Sequence, residues 1–507
     1  MKPLRRSTPA DAATHQLAWA VYPADRLTPV RAFELLRAAG RQGTLLESVE
    51  GPERLASHSF VAVDPDGKLR GGAERASLRI GGGAEEILPL GPSDALREAS
   101  RRTGRAGAGA AHPDLPPFRG GWIGSLSYEW ASTLEERVPR PSVRDFDQPE
   151  ALFDHYPNVV AFDHGAQTLT ILCAAPEGEA DHHDAAAHVE RLARELAGVP
   201  PAERGFRLLE DAPRPSMSRE DFEAGVRSLQ EAIRAGEIFQ CVLSQRFRQR
   251  FEGDAFTLYR VLRLVNPAPH MFFFEAGDVT LVGSSPERLV SVQDGRIEVV
   301  PIAGTRPRGA TSEEDARLGA ELRRDEKECA EHDMLVDLAR NDAGRVASFG
   351  SVEVEEHRRL VRFPRVQHLV SRVRARLSAG KDALDALEAA FPAGTVSGAP
   401  KVRAMTLCAG IEQRDRGAYG GAFGYLDRAG NLDMAIAIRT IVCSRGELFV
   451  QAGAGVVLDS DPSAEFEETL HKSQALFEAV ELAASEAFQP EGAAAPTTVH
   501  EATEAAR

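Results

Sequence analysis

The sequence predicts an α+β fold, on three observations. Short segments rich in β-branched residues and bounded by glycines recur in both halves of the chain, as strands do. Helical segments fall between them, notably 312–340, rich in Glu, Arg, Ala and Leu, and 382–391. The two kinds do not alternate strand by strand, as a parallel doubly wound sheet requires. With 507 residues, 43% hydrophobic and 27% charged, the chain has the composition of a globular protein able to bury a large core.

From the N-terminus, SFVAVDP (59–65), GGWIGSLSYEWA (120–131) and TLTILCAA (168–175) read as strands of one shared core. The Gly- and Pro-rich stretch from Ala99 to Pro117 reads as a loop, and PEGEADHHDAAAH (176–188) as a surface turn entering a helix. EDAPRPSMS (210–218) is the best boundary between an N-terminal region, 15–210, and a second region, 215–485. The second region opens with Ser218 and Asp221 as a capping pair, ahead of Phe222, Val226, Leu229 and Ile233 at helical spacing. Within it VTLVG (279–283), RIEVVPI (296–302) and ELFVQAGAGVV (447–457) read as strands. The Ala-, Glu-, Pro- and Thr-rich end, 489–507, has little to bury and reads as a disordered tail.

A net charge of −16 argues against nucleic acid or an anionic membrane as partner, so an anionic substrate would need locally supplied positive charge. No signal peptide or membrane span is visible. The five cysteines (Cys173, Cys241, Cys329, Cys408, Cys443) have no C-x-x-C spacing and read as reduced thiols, which suits the cytoplasm.

Two acidic pairs, Glu328 with Glu331 and Glu465 with Glu468, each stand three residues apart in helix-like stretches and could aim two carboxylates one way. Four such groups suit a hard cation such as Mg²⁺, although each pair alone also reads as a solvated helix face. Around them lie GSSPE (283–287), PIAGTR (301–306), AFPAGTVSGAPK (390–401), YGGAFGY (419–425), AIAIRT (435–440) and QAGAGVVLDSDP (451–462). Glu287 follows a turn at a strand start, where partial burial raises a carboxyl toward a general acid's working range. Gly453 and Gly455 either open the backbone around Ala454 to an anion or mark a strand bulge. Arg439 lies on an apolar strand and needs an anionic partner, from protein or ligand. AGTVSGAPK does not have phosphate-loop spacing. Pro400 and Lys401 look like a helix start, and His368 could be a satisfied core histidine.

In this order the strings closely resemble the chorismate-utilising enzymes, and among them the large, synthase subunits of anthranilate synthases, from about residue 40 to 480. The resemblance implies two packed, mainly antiparallel β-sheets surrounded by helices. It implies that Glu287 protonates the departing C4 hydroxyl of chorismate, that His368 acts in pyruvate loss, and that Thr395 lines the pocket. By the same resemblance Gly304, Thr305, Tyr419, Arg439, Gly453, Ala454, Gly455 and Lys472 bind substrate, while Glu331 and Glu468, with Glu328 and Glu465, hold Mg²⁺.

Relatives that add water to chorismate carry a lysine where this chain has Gln240, and aminodeoxychorismate synthases carry one where it has Ala303. External ammonia is therefore the expected nucleophile. No cysteine elbow of a glutaminase is present, so the resemblance implies a separate glutamine amidotransferase subunit as partner. The alternatives are an aminodeoxychorismate or aminodeoxyisochorismate synthase, or a silent tryptophan-binding regulator. The resemblance also implies tryptophan as inhibitor, sensed by an LLES string and an NPSPYMFF-like string that would set Leu46, Glu47, Ser48, Asn266, Pro269, His270, Met271 and Phe272 around an indole-sized pocket, with His270 where relatives usually carry tyrosine; either string alone reads as ordinary core strand.

Overall fold

The structure, a computed structural model, describes residues 1–8, 17–49, 57–104, 115–174, 178–199, 204–363 and 366–489. Among these residues the strands form two sheets, of 14 and 12 strands, in which every ladder is antiparallel. The α+β class and the paired-sheet architecture are both present. The two regions expected from the sequence contribute strands to both sheets; in the larger they meet at a central seam and again at the edge, where Phe206–Leu208 pairs with Gln240–Gly253, and in the smaller at one seam. In the larger sheet Gly43–Glu47 pairs with His270–Ala276, Leu46 lying opposite Phe272. In the smaller one Gly121–Leu126 pairs with Ala422–Asp427.

Alternation decides what lies between the sheets. Trp19, Phe60, Phe272, Phe274 and Phe449 from one sheet meet Ile123, Leu152 and Phe423 from the other in a single core. The rings of Phe272 and Phe423 stack at 3.9 Å between centroids. The outer face of the larger sheet is covered by helices Pro29–Ala38, Ala255–Val265 and Pro462–Ala484, and that of the smaller by Pro92–Arg102 and Ala383–Ala390.

Local chemistry explains where elements begin and stop. Ser218 caps helix Arg219–Arg234 by accepting from Asp221 N, as its spacing foretold. The single helix expected over 312–340 is two, Ser312–Arg324 and Glu326–Gly344. Asp325 leaves helical geometry, and its carboxylate accepts from Lys327 N and Glu328 N, capping the second helix. The strand expected over 296–302 stops at Val299 and a new one runs Ile302–Pro307, since Pro301 has no N–H to give a ladder. The helix at Lys401–Glu412 starts just after Pro400 as expected. The tail, apart from Gln489, and most of the 99–117 loop centre lie outside the described residues. All five cysteines are free and buried. No helix among the described residues is long and apolar enough to cross a membrane.

Candidate active site

At the end of the larger sheet, strand Glu447–Val456 pairs with Gln240–Gly253 along its whole length but with Thr440–Ser444 only as far as Val450. On that second side the stretch 451–456 has no strand partner among the described residues, so alternate N–H groups there face outward from the ladder. Gly453 and Gly455 keep a regular register opposite Ser244 and Val242, which rules out the bulge. A Cβ on Gly453 would meet the Tyr419 hydroxyl at 2.7 Å. Ala454 points the other way, into a core with Phe222 and Cys241, and offers the site only backbone.

Glu287 sits between strands Val279–Ser285 and Arg288–Gln293. Its carboxylate accepts from Thr395 Oγ1 at 3.0 Å, and its carbonyl from Ile436 N at 3.0 Å. Burial raises the carboxyl above its ordinary range, against the Thr395 hydrogen bond and the positive charges of Lys472 and Arg439. A half-buried carboxyl whose proton is held more tightly than usual, beside two cations, is the arrangement a general acid needs.

Arg439 is not on a strand, contrary to the sequence expectation. The strand ends at Ile436, and Arg439 adopts φ 51°, a left-handed conformation that disfavours a branched chain trace and costs roughly 1 kcal/mol. Its carbonyl accepts from Ser284 N, which fixes the turn. The guanidinium forms no ion pair among the described residues, and burial lowers its affinity for a proton while Tyr419 and Glu287 oppose that. An uncompensated cation here awaits an anion. Lys472, on helix Pro462–Ala484, reaches Gly453 O at 3.1 Å and Glu468 at 2.6 Å.

His368, on strand Val366–Arg376, lies across the ladder from Thr305, and its Nδ1 is 3.0 Å from Gly304 O and from Thr305 Oγ1. Donation from Nδ1 to the carbonyl leaves Nε2 with its lone pair, and burial lowers the pKa so that the ring stays neutral. Gly304, at φ 74°, lets the chain pass so close to helix Glu326–Gly344 that a Cβ there would lie 3.3 Å from Glu328 Oε2.

The two acidic pairs lie within electrostatic reach of one another. Burial, with the charges of Glu328 and Glu468, raises Glu331, and burial with Glu468 among its neighbours raises Glu465. Glu465 Oε2 is buried without a hydrogen-bond partner. Arg306 lies 3.1 Å from Glu328, and Lys472 2.6 Å from Glu468. Four crowded carboxylates with an orphaned oxygen suit a hard divalent cation. In the present arrangement no three His, Cys, Asp or Glu side chains among the described residues converge closely enough to hold one.

About the seam of the larger sheet lies a separate cavity of about 290 Å³. Leu46, Ser48, Pro269, Met271 and Phe272 line it, with Glu47 and His270. Asn266 does not; it ends helix Ala255–Val265 and exchanges hydrogen bonds with Ser284. The Glu47 carboxylate accepts from Tyr259 Oη at 2.6 Å and Arg263 Nε at 3.0 Å, so it is already engaged on the helix side of its sheet. Sequence reasoning missed Arg288 and Asp433, which line the cavity as a forked ion pair at 2.8 and 3.0 Å. They stand far apart in sequence, and only the ladder between their strands joins them.

A family model described as chorismate binding enzyme matches residues 45–478. Anthranilate synthase component 1 of Thermus thermophilus is 43% identical over 465 residues, covering 91% of this chain and 96% of that protein. The component 1 of Aquifex aeolicus is 41% identical over 475 residues, covering 90% and 93%. Among solved structures, anthranilate synthase component I from Streptococcus pneumoniae is 34% identical, covers 84% of this chain and 93% of that chain, and superposes with a TM-score of 0.71. The menaquinone-specific isochorismate synthase of Escherichia coli, 18% identical with a TM-score of 0.68 over 92% of this chain and 94% of that one, shares the fold.

Proposed function

The chain belongs to the chorismate-binding enzyme family, and from that premise we propose that it is the synthase component of an anthranilate synthase, converting chorismate and ammonia to anthranilate and pyruvate. The observation that carries the reading is Glu287, its carboxyl raised by burial, hydrogen-bonded by Thr395 and acted on by the charges of Lys472 and Arg439. Glu287 gives its proton to the C4 hydroxyl, which leaves as water. Ammonia bonds to C2 as the ring double bonds shift. The ammonium so formed returns a proton to the Glu287 carboxylate. The Nε2 of His368 would then take the C2 proton as the C3–O bond breaks, and the enolpyruvate that leaves takes up a proton to become pyruvate, leaving the aromatic amine.

Arg439, the open N–H groups of 451–456 and the Tyr419 hydroxyl would hold the enolpyruvyl carboxylate, and Lys472 the ring carboxylate. Gly304 and Thr305 form the backbone wall beside His368. Mg²⁺ on Glu331 and Glu468, with Glu328 and Glu465 nearby, would neutralise charge on the ring carboxylate. Gln240 and Ala303 leave no side-chain nucleophile at either position, which supports ammonia as reagent. Its source would be a partner amidotransferase, the second component that the names of the relatives imply. The free, buried cysteines support a reducing, cytoplasmic setting. The region 15–210 with the seam at 266–272 would form the regulatory part, 215–485 the catalytic part, and the 290 Å³ cavity the tryptophan site, its apolar wall of Pro269, Met271 and Phe272 suiting an indole.

The test is product analysis. Purified protein with chorismate, Mg²⁺ and ammonium should form fluorescent anthranilate, and should use glutamine only when the partner is added. Isochorismate or 4-amino-4-deoxychorismate as main product would refute the assignment.

A further inference from the structure

The cavity and the general acid share one short piece of backbone. Arg288 is the residue after Glu287. It lines the 290 Å³ cavity and also a second hollow, of about 60 Å³, that Glu287 and Thr395 line. Its guanidinium is forked onto Asp433, and a third nitrogen lies 3.3 Å from Glu298. Glu298 is in turn held by Arg374 at 2.9 Å, with Arg372 at 3.5 Å, so Asp433 is the carboxylate most fully committed to Arg288. Asp433 stands on strand Leu432–Ile436, whose last residue donates its N–H to Glu287 O. Ser285 Oγ donates to Ile436 O at 2.6 Å, and His270 of the cavity wall is the cross-strand neighbour of Ser285. The general acid is thus bracketed by cavity-lining residues on both strands that hold it.

The ladder also contains slack at this point. Arg288 faces Ala435, but Val290 already faces Met434, so Leu289 is one residue more than its partner strand needs. A bulge lets the bulged strand bend while pairing is kept on either side. Turning the Arg288 side chain can therefore move its neighbour Glu287 without dismantling the strand beyond Val290.

We propose that the Arg288–Asp433 pair is a positioning device for the general acid: with the fork closed Glu287 stays against Thr395, and a carboxylate-bearing ligand in the cavity draws Arg288 from Asp433 and displaces it. This rests on the reading of the cavity as the tryptophan site. A bidentate pair of which Arg288 is 13% exposed has two discrete states rather than a continuum, since a half-open fork leaves both charges poorly solvated. The ligand acts only through its unequal affinity for those states.

Binding reciprocity supplies the experiment. The dissociation constant of tryptophan is measured by calorimetry with and without saturating chorismate, with ammonium omitted so that no turnover occurs. The wild type should show coupling in the range of about 5- to 150-fold usual for linked sites. Asp433→Asn should bind both ligands with coupling below about twofold, Asp433→Glu should restore most of it, and Ser291→Ala, another cavity-lining change, should leave it intact. A merely structural ion pair would alter thermal stability but not this ratio. Wild-type coupling in an Asp433→Asn protein that binds both ligands would overturn the device alone. Absence of tryptophan binding to the wild type would overturn the reading of the cavity, and the device with it. If Asp433→Asn does not fold, Arg288→Lys, which keeps the charge and loses the fork, decides the matter by the same ratio.

Discussion

The cleft and the cavity are both built from charged side chains set among apolar strands, but they treat charge in opposite ways. In the cleft, among the described residues, Arg439 has no ion pair and an oxygen of Glu465 has no hydrogen bond, while burial raises the Glu287 carboxyl. In the cavity wall Arg288 is forked onto Asp433 and Glu47 is bound by Tyr259 and Arg263. On the reading proposed above, incomplete charge marks a place where substrate and cation would supply what is missing, and completed charge a place where a ligand would act by competing for a pair that already exists.

The comparison breaks first at the acidic cluster. Chelation, or Glu331→Gln, should remove the several kcal/mol of charge stabilisation a metal supplies, more than about a thousandfold in kcat. Tryptophan binding measured on the same samples should not change. Full activity of Glu331→Gln in the presence of a chelator would remove the metal from the reading.

Next in size, Glu287→Gln should lower kcat by about 10²- to 10⁴-fold, the usual contribution of a positioned acid. The sign of its effect on stability is opposite. Because the folded-state pKa of Glu287 is raised, the native state binds more protons than the unfolded one between the two pKa values, and stability falls as pH rises through that window. The glutamine variant should therefore melt slightly higher than wild type at neutral pH. A lower melting temperature would contradict the burial assigned to this carboxyl. In the same way the alkaline limb of kcat/KM for the wild type should follow deprotonation of Glu287.

Arg439→Ala should raise the chorismate KM by about 10- to 100-fold, the worth of one or two charge-assisted hydrogen bonds. The ligand-free protein should lose little stability, since the guanidinium forms no ion pair among the described residues and the backbone there is strained. Strong destabilisation would show that Arg439 is a structural cation. Ser48→Phe, filling the cavity from its rim, should abolish tryptophan inhibition with catalysis retained.

How much of this was legible in the sequence follows the same division. Gly453, Gly455, Glu287 and the acidic pairs stand in short local strings that mark them as candidates, but their roles come from the order of the strings taken together, not from any one of them. The positions of strands were readable wherever glycine punctuated them. The break at Asp325 was missed because a helix-rich composition hid a capping aspartate, and the turn at Arg439 because an apolar run looked like an uninterrupted strand. Arg288 and Asp433 were out of reach for a different reason: their pairing depends on a bulged ladder between strands 140 residues apart, and no local pattern encodes register at that separation.

The smallest expected effect concerns His270 in the cavity wall. Burial lowers its pKa to about 4, with Asp433 acting to raise it and Arg288 to lower it. An unfolded histidine titrates near about 6.5, so between roughly pH 6.5 and 4 the unfolded chain binds the extra proton and the native state does not. Stability must then fall as pH drops through that window. His332, also buried and lowered to about 4, with Ser371 on its Nε2 at 2.6 Å, contributes a parallel fall from the cleft side. His270→Phe should therefore flatten the acid-side decline in Tm only in part, by about 1 kcal/mol, and His332→Gln by a further part. Because His270 faces the Arg288–Asp433 pair, protonating it in the native state sets a second cation beside the fork and adds to the competition for Asp433. Because that competition helps to free Arg288 for the ligand, tryptophan inhibition should strengthen below about pH 5 in the wild type and stay unchanged in His270→Phe. An acid slope unchanged by His270→Phe would mean that water reaches this ring and that the cavity wall is more open than its packing implies.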